Sequence, residues 1–401
     1  MARRIKRLGD ARQVFTFVEI FRRRFSQQTG AVYLVFEEIQ ACAYVVGQYM
    51  SIAIILDLAF GLSYRPACLI AGVIVLVYVA LGGLSGSLAV TLIQMGLCVL
   101  GLILAVCFGL NATEGFHNLM AMLPADWNAN IFAGQTFAGI LAGFLPTFFA
   151  SFIYSTMYIR CYSAKDEKTA VGACYLAGII CAVIVGLTIV GVYLSVAMVP
   201  GLESGDYALI ELFRAILPWA AAIFAAAIVS ACMSTASESV MLVSTVITND
   251  VARSMLKIKM TEKGTIWFAR GVMVVFTVIV CVVAMFMSSV LSLMYYSSTI
   301  LASCVPAFLI ALWWNRVNWQ GMLAGFVGGG VTSIVWPFIP VLSGLMNSMY
   351  AGMAVSVIAM LIFTFACKPP TEENIHFIQP FQTKNYDPDP LPGQEGEEPM
   401  M

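Results

Sequence analysis

Ten apolar stretches divide residues 30–366 of this chain, each close to the length that crosses a hydrocarbon layer of roughly 30 Å. They lie at about 30–57, 65–82, 87–110, 136–158, 169–198, 216–248, 266–288, 291–314, 319–338 and 343–366, set apart by charge, Pro and Gly. In lipid every backbone N–H and C=O needs a partner inside the protein, so apolar runs of this length become helices. The pattern predicts an all-α, polytopic membrane protein with about ten transmembrane helices embedded in a lipid bilayer. Composition agrees: 60% of the 401 residues are hydrophobic and only 11% are charged, against about 25% charged in soluble domains.

Charge placement orients the helices. With both ends inside, nineteen of the 21 Lys and Arg fall on the inner side, leaving only Arg65 and Arg214 outside. The expected location is therefore the plasma or inner membrane, with both termini cytoplasmic. The outer loops carry instead Glu114, Asp126, Glu203, Asp206 and Glu211. Residues 1–29 form a basic cytoplasmic segment, with Arg3, Arg4, Lys6, Arg7, Arg12 and Arg22 to Arg24. Val14, Phe15, Phe17, Val18, Ile20 and Phe21 would line one side of a short interfacial helix, but an ordinary loop is the preferred reading. The basic start runs into more charge rather than a short apolar core, so no signal peptide is read there. Residues 30–367 make the membrane domain, and 368–401 an acidic tail expected to be disordered.

The eleven cysteines are scattered through apolar segments with no C-x-x-C, and read as small buried hydrophobes. His117 and His376 are the two histidines, both outside the apolar stretches. No nucleophile–base pair, metal cluster or phosphate loop is legible, so an enzyme is not expected. Nor is a nucleic-acid partner.

Polar residues inside the spans carry the functional argument. The densest group is Ala231-Cys-Met-Ser-Thr-Ala-Ser-Glu-Ser239. At helical spacing Ala231, Ser234, Thr235 and Glu238 share a face. Two hydroxyls and a carbonyl one turn earlier are hard, weakly charged oxygens, suited to a small monovalent cation such as Na⁺. The alternative is that the hydroxyls simply bond back to a carbonyl or to a neighbouring helix. In the first span Glu37, Gln40, Tyr44 and Gln48 form a polar stripe facing the bundle or a vestibule; Glu37 and Glu38 would otherwise sit in the cytoplasmic interface. The fourth holds Gly139, Gly143 and Pro146 before Thr147, Ser151, Tyr154, Ser155 and Tyr158. That pattern allows either a broken helix lining a binding site or a plain Pro kink. Tyr295, Tyr296 and Pro306 mark a further hinge or gate in the eighth span, and the glycines from Gly321 to Gly330 suit close helix packing.

Several stretches resemble the sodium:solute symporter family, whose members include proline, sugar, sialate and choline symporters. Gly82-Gly83-Leu followed by Gln94 resembles its G-G-L…T-D-x-x-Q signature. Arg160-Cys-Tyr-Ser-Ala-Lys-Asp166 resembles the loop after its sixth core helix, and Gly205-Asp-Tyr-Ala-Leu…Leu217-Pro218 the approach to its eighth. Met233-Ser-Thr235 and Asn249-Asp250 resemble the eighth helix and its cytoplasmic end, and Trp314-Asn-Arg316-Val-Asn-Trp-Gln-Gly321 the loop after the tenth. The resemblance runs from about residue 10 to 367. It implies the leucine-transporter-type inverted-repeat fold and sodium-coupled symport of a small organic solute by alternating access.

By that resemblance Ala231, Ser234 and Thr235 hold Na⁺, and Gln40, Tyr44, Gln48, Tyr154, Tyr158 and Tyr295 are candidates for the substrate. The family's Asp in T-D-x-x-Q is Thr91 here, which implies one coupled sodium rather than two. Glu238 stands where the family has a small or hydroxyl residue, so Glu238 and Ser237 are candidates for ion coupling. Counting back from the eighth-helix motif, the first span matches the third core helix. The first repeat is then incomplete and the chain resembles an N-terminally truncated symporter, expected to transport only when extended upstream. A non-transporting sensor or regulatory remnant, and a proton-coupled symporter using Glu238, are the alternatives. Solute and oligomeric state are not legible.

Overall fold

The computed structural model describes residues 1–14, 16–82, 87–124, 137–202, 205–287 and 289–383. Phe15, Gly83 and Leu84 of the first motif, Asp126, Glu203 and the tail beyond Thr383 lie outside the described residues, as do the side chains of Thr91, Asn249 and Asp250.

The regular structure among the described residues is helical, without strands. In chain order the helices are α1 (Ala2–Arg12), α2 (Phe17–Arg24), α3 (Gln27–Phe60), α4 (Tyr64–Gly82), α5 (Ser87–Ala112) and α6 (Phe116–Met122). Then come α7 (Phe137–Ala150), α8 (Ser155–Ser163), α9 (Glu167–Met198), α10 (Ala208–Ile216), α11 (Pro218–Thr245) and α12 (Glu262–Phe286). The last are α13 (Val290–Trp313), α14 (Trp319–Val335), α15 (Pro340–Ser343), α16 (Ser348–Ala366) and α17 (Glu372–Gln382).

Eight helices among the described residues are long and apolar enough to cross a membrane. The other two expected spans correspond to α4 and to the α7–α8 pair. The α7–α8 break is the anticipated one, displaced: the helix runs through Pro146 and stops only at Ala150. Likewise α13 runs through Pro306 without interruption.

The chain divides into two compact units. One comprises Met1–Glu37, Ala138–Gly178 and Tyr295–Met401; the other comprises Glu38–Phe137 and Ile179–Met294. Helices α3, α9 and α13 contribute residues to both.

In the first unit, α14 lies on α16 through the glycines singled out above. A Cβ at Gly329 would stand 2.8 Å from Ser356 Cβ and 3.0 Å from the Ser303 carbonyl. Close backbone approach thus replaces side-chain bulk at this crossing.

Both termini of the first unit correct the sequence reading. The N-terminal segment is not a loop. Thr16 and Glu19 form a capping box that starts α2, whose Phe17 and Phe21 are fully buried. Phe17 stacks on Tyr158 at 3.7 Å and Phe21 on Tyr33 at 4.6 Å, so the apolar side expected to meet an interface meets protein instead.

The described start of the tail is helical. Thr371 caps α17, accepting the Asn374 N–H, and Phe377, Ile378 and Phe381 are buried. Arg4 donates to the Phe381 and Gln382 carbonyls at 3.2 and 3.3 Å, Arg7 to that of Thr383, and Arg12 to that of His376 at 2.7 Å. Arg4 and Arg7 of α1 thus serve the negative end of α17. Averaging a polar composition over 368–401 hid an apolar face of three- and four-residue spacing.

In the second unit, one core is built from Val45, Tyr49 and Ala53 of α3, Ala71 and Val75 of α4, Ala236 and Val240 of α11, and Val280 and Ala284 of α12. A second joins Leu102 of α5 and Leu194 of α9 to Phe213 of α10 and Phe224 of α11, whose rings stack at 3.8 Å. Helix α11 contributes to both. It begins at Pro218, a residue suited to the first helical turn, and widens into π-helical turns over Val246–Met255.

Candidate ion site on α11

In α11, Ser234 Oγ donates to the Ala231 carbonyl at 2.9 Å and Thr235 Oγ1 donates to the same oxygen at 3.1 Å. The back-bonding expected of mid-helix hydroxyls is therefore present, and it gathers three oxygens into one cluster. A hydroxyl that donates its proton still carries two acceptor lone pairs, so the set can face a cation. Three neutral hard oxygens suit Na⁺ and supply about half of a six-ligand shell. Ser234 is buried and Thr235 half-buried.

One turn on, buried Ser237 donates to the Ser234 carbonyl at 2.8 Å, which leaves it supporting the helix beneath the cluster. Glu238 is exposed on the helix surface.

Sequence reasoning quoted Gln94 as part of a motif but gave it no place in a site. Here its Nε2 donates to Ser230 Oγ, the residue before Ala231. Gln94 is 6% exposed and its Oε1 accepts no hydrogen bond within the protein. The two motifs, 136 positions apart, meet at one locus. The available signal was Ser230 itself, which stands one helical turn before Ser234.

The substrate candidates divide between the units. Gln40, Tyr44 and Gln48 of α3 belong with α11 in the second. Gln40 is buried with its Oε1 unpartnered, Gln48 is half-buried and Tyr44 exposed. Tyr154, Tyr158 and Tyr295 belong to the first unit. Tyr154 lies in the break before α8 and is half-buried. Tyr158 is taken up by packing, stacked on Phe17 with its hydroxyl donating to the Phe152 carbonyl at 2.7 Å. Tyr295 OH accepts from Asn347 Nδ2 at 2.7 Å.

The break over residues 151–154 frees backbone groups, and α3 takes up some of them. Tyr33 OH donates to the Ile153 carbonyl at 2.8 Å. Glu37 Oε1 accepts the Ser155 N–H at 3.2 Å. Glu37 is 3% exposed; it lies inside the first unit rather than in the polar interface considered for it.

The wider comparison agrees with this architecture. The sequence profile of the sodium:solute symporter family matches residues 4–329. The chain is 25% identical over 325 residues to the sodium/proline symporter of Escherichia coli K12, covering 78% of this chain and 64% of that protein. It is 28% identical over 356 residues to the sodium/proline symporter of Staphylococcus aureus, covering 82% of this chain and 66% of that one. It thus spans just under two thirds of these relatives' length. A solved Na⁺-coupled sialic acid symporter, substrate-bound and outward-open, superposes with a TM-score of 0.67 at 15% identity, covering 90% of this chain and 79% of that one. That likeness is one of fold: the all-α, inverted-repeat architecture the motifs implied. The profile match spans most of the chain, and the protein is a multi-pass membrane protein belonging to the sodium:solute symporter family.

Proposed function

We propose that this chain works in sodium-coupled symport of a small organic solute, with Na⁺ held by the Ala231 carbonyl and the Ser234 and Thr235 hydroxyls. The observation that carries the reading is the convergence of both hydroxyls on one carbonyl, within 3.1 Å, inside a membrane-length helix. Na⁺ supplies the driving force: an inward charge gains about 2.3 kcal/mol per 100 mV of membrane potential, and the concentration gradient adds to it. The residues of the chain bind, orient and exclude water. Gln94 holds Ser230 beside the cluster, and Ser237 steadies the Ser234 carbonyl. The α7–α8 break and the α3 groups that brace it give the alternating-access cycle a segment able to change shape.

Among the substrate candidates, Gln40 has the most to gain from a ligand, because a buried unpartnered acceptor is costly. Tyr44, Gln48, Tyr154 and Tyr295 remain candidates, and Tyr158 serves packing in this conformation. The chain is read as lying in the cell membrane with cytoplasmic termini, on the Lys/Arg asymmetry of its loops.

The test has two parts. Binding of ²²Na⁺ to the purified chain in detergent is compared with that of a Ser234→Ala, Thr235→Ala variant. Uptake of proline, a sugar and sialic acid is then measured under an inward Na⁺ gradient, for this chain and for a form extended upstream. Loss of Na⁺ binding in the variant, with Na⁺-dependent uptake of one solute by the upstream-extended form, is the expected result. Uptake that follows pH, ignores Na⁺ and fails in Glu238→Gln would replace sodium with proton coupling. Na⁺ binding without uptake of any solute by either form would favour a non-transporting membrane module.

A further inference from the structure

The link between α11 and α12, within the second unit, concentrates positive charge. Residues 251–270 carry Arg253, Lys257, Lys259, Lys263 and Arg270 against a single acid, Glu262. All five basic residues are exposed, and Lys257, Lys259 and Lys263 enter no ion pair among the described residues. The link is a built turn. The Leu256 N–H donates to the Val251 carbonyl and the Ile258 N–H to that of Ala252, both at 2.9 Å, so the chain folds back on the last π-helical turns. Thr261 Oγ1 then accepts the Gly264 N–H at 3.1 Å and starts α12.

Large apolar residues stand exposed among the cations: Leu256 at 65%, Ile258 at 45% and Trp267 at 70%. A loop surrounded by water gains nothing from that interleaving. On α12, Lys263, Trp267 and Arg270 fall at offsets of four and seven, hence on one face. The Arg270 guanidinium lies over the Trp267 ring at 5.3 Å. Helix length sets their depth. The 25 residues of α12 span about 37 Å, which exceeds a hydrocarbon layer of roughly 30 Å by more than one turn. Its far end, residues 277–286, is uncharged, so the surplus falls at the Lys263 end. Lys263 and Trp267 then lie at headgroup level, and Arg270 reaches it by extending its side chain.

We propose that the α11–α12 link and the first turns of α12 bind the headgroup of an anionic phospholipid. Lys257, Lys259, Lys263 and Arg270 meet the phosphate, while Leu256, Ile258 and Trp267 enter the upper acyl region. Ammonium and guanidinium groups are strong donors to phosphate. At a membrane surface each engaged residue favours anionic over zwitterionic lipid by about fivefold. Free phosphate satisfies the cations but leaves the apolar side chains in water, which makes lipid the occupant. The site goes beyond the symport reading and does not depend on it, since none of its residues belongs to the oxygen cluster.

The test reconstitutes the full chain in phosphatidylcholine vesicles that carry, at equal mole fraction, phosphatidylglycerol or phosphatidylcholine with brominated acyl chains. Bromine quenches indole on contact, and the Trp267 share of the emission is the difference between wild type and Trp267→Phe. Brominated phosphatidylglycerol is expected to quench that share as though enriched about fivefold or more over its bulk fraction. The excess should fall to near parity in Lys257→Gln, Lys259→Gln, Lys263→Gln. It should survive in Lys165→Gln, Lys168→Gln, two exposed lysines at the α8–α9 junction. If the triple variant does not reconstitute, Arg270→Gln by itself should lower the excess severalfold. Equal quenching by the two lipids in the wild type overturns the assignment. So does an excess unmoved by these changes, lost equally in the control pair, or abolished by inorganic phosphate at constant ionic strength.

Discussion

Glu37 Oε1 accepts the backbone N–H of Ser155 at 3.2 Å, so a carboxyl group 118 positions earlier in the chain serves the first turn of α8. The exposed amides at a helix N-terminus favour such a group electrostatically. Together with Tyr33 on Ile153, it makes the α7–α8 break a braced feature of the first unit rather than a frayed one.

Glu37→Ala should lower stability by about 1–3 kcal/mol, the cost of leaving a buried donor unpaired. Glu37→Gln, which keeps an acceptor, should lose much less. Thermal unfolding in detergent, followed by intrinsic fluorescence, separates the two; equal losses would mean that the charge, not the acceptor, matters.

Gln94 donates to Ser230, the residue before the ion cluster. Gln94→Ala should therefore raise the Na⁺ concentration for half-saturation without abolishing binding, in contrast to loss of the Ser234 and Thr235 hydroxyls. A ²²Na⁺ isotherm that is unchanged in Gln94→Ala would remove it from the site.

Gly329 stands where a Cβ would meet Ser356 Cβ at 2.8 Å and two backbone carbonyls at 3.0 and 3.2 Å. Neither carbonyl is free to swing aside. Gly329→Ala should cost about 1–3 kcal/mol by overpacking, read as a lower unfolding midpoint. The matched control is Gly172→Ala in α9, where a Cβ meets nothing within 4 Å; an equal loss there would show that close packing is not the cause.

Asp166 Oδ1 accepts the Thr169 N–H at 2.7 Å at the start of α9, and that bond holds its carboxyl below the ordinary carboxylate range. A depressed folded value means stabilisation that is present above the ordinary value and lost as pH falls through the depressed one. The difference in unfolding midpoint between wild type and Asp166→Ala should thus be constant near neutrality and shrink in acid, below about pH 4. A difference that grows on acidification would contradict the cap.

What was legible in the sequence is local. Span lengths, the Lys/Arg asymmetry and the packing glycines are properties of single segments or their flanks. The Ala231–Ser234–Thr235 cluster was legible for the same reason, since one helical turn brings its oxygens together whatever surrounds it. Phe377, Ile378 and Phe381 were equally local, but a composition averaged over the whole tail concealed them. Tertiary structure alone decided the rest. It placed Gln94 beside Ser230 and Glu37 beneath Ser155, buried Tyr158 against Phe17, and set α1 on the carboxyl end of α17. Each joins residues separated by more than a hundred positions. No spacing rule encodes such a pair, because chain folding, and not helical periodicity, sets which side chains meet.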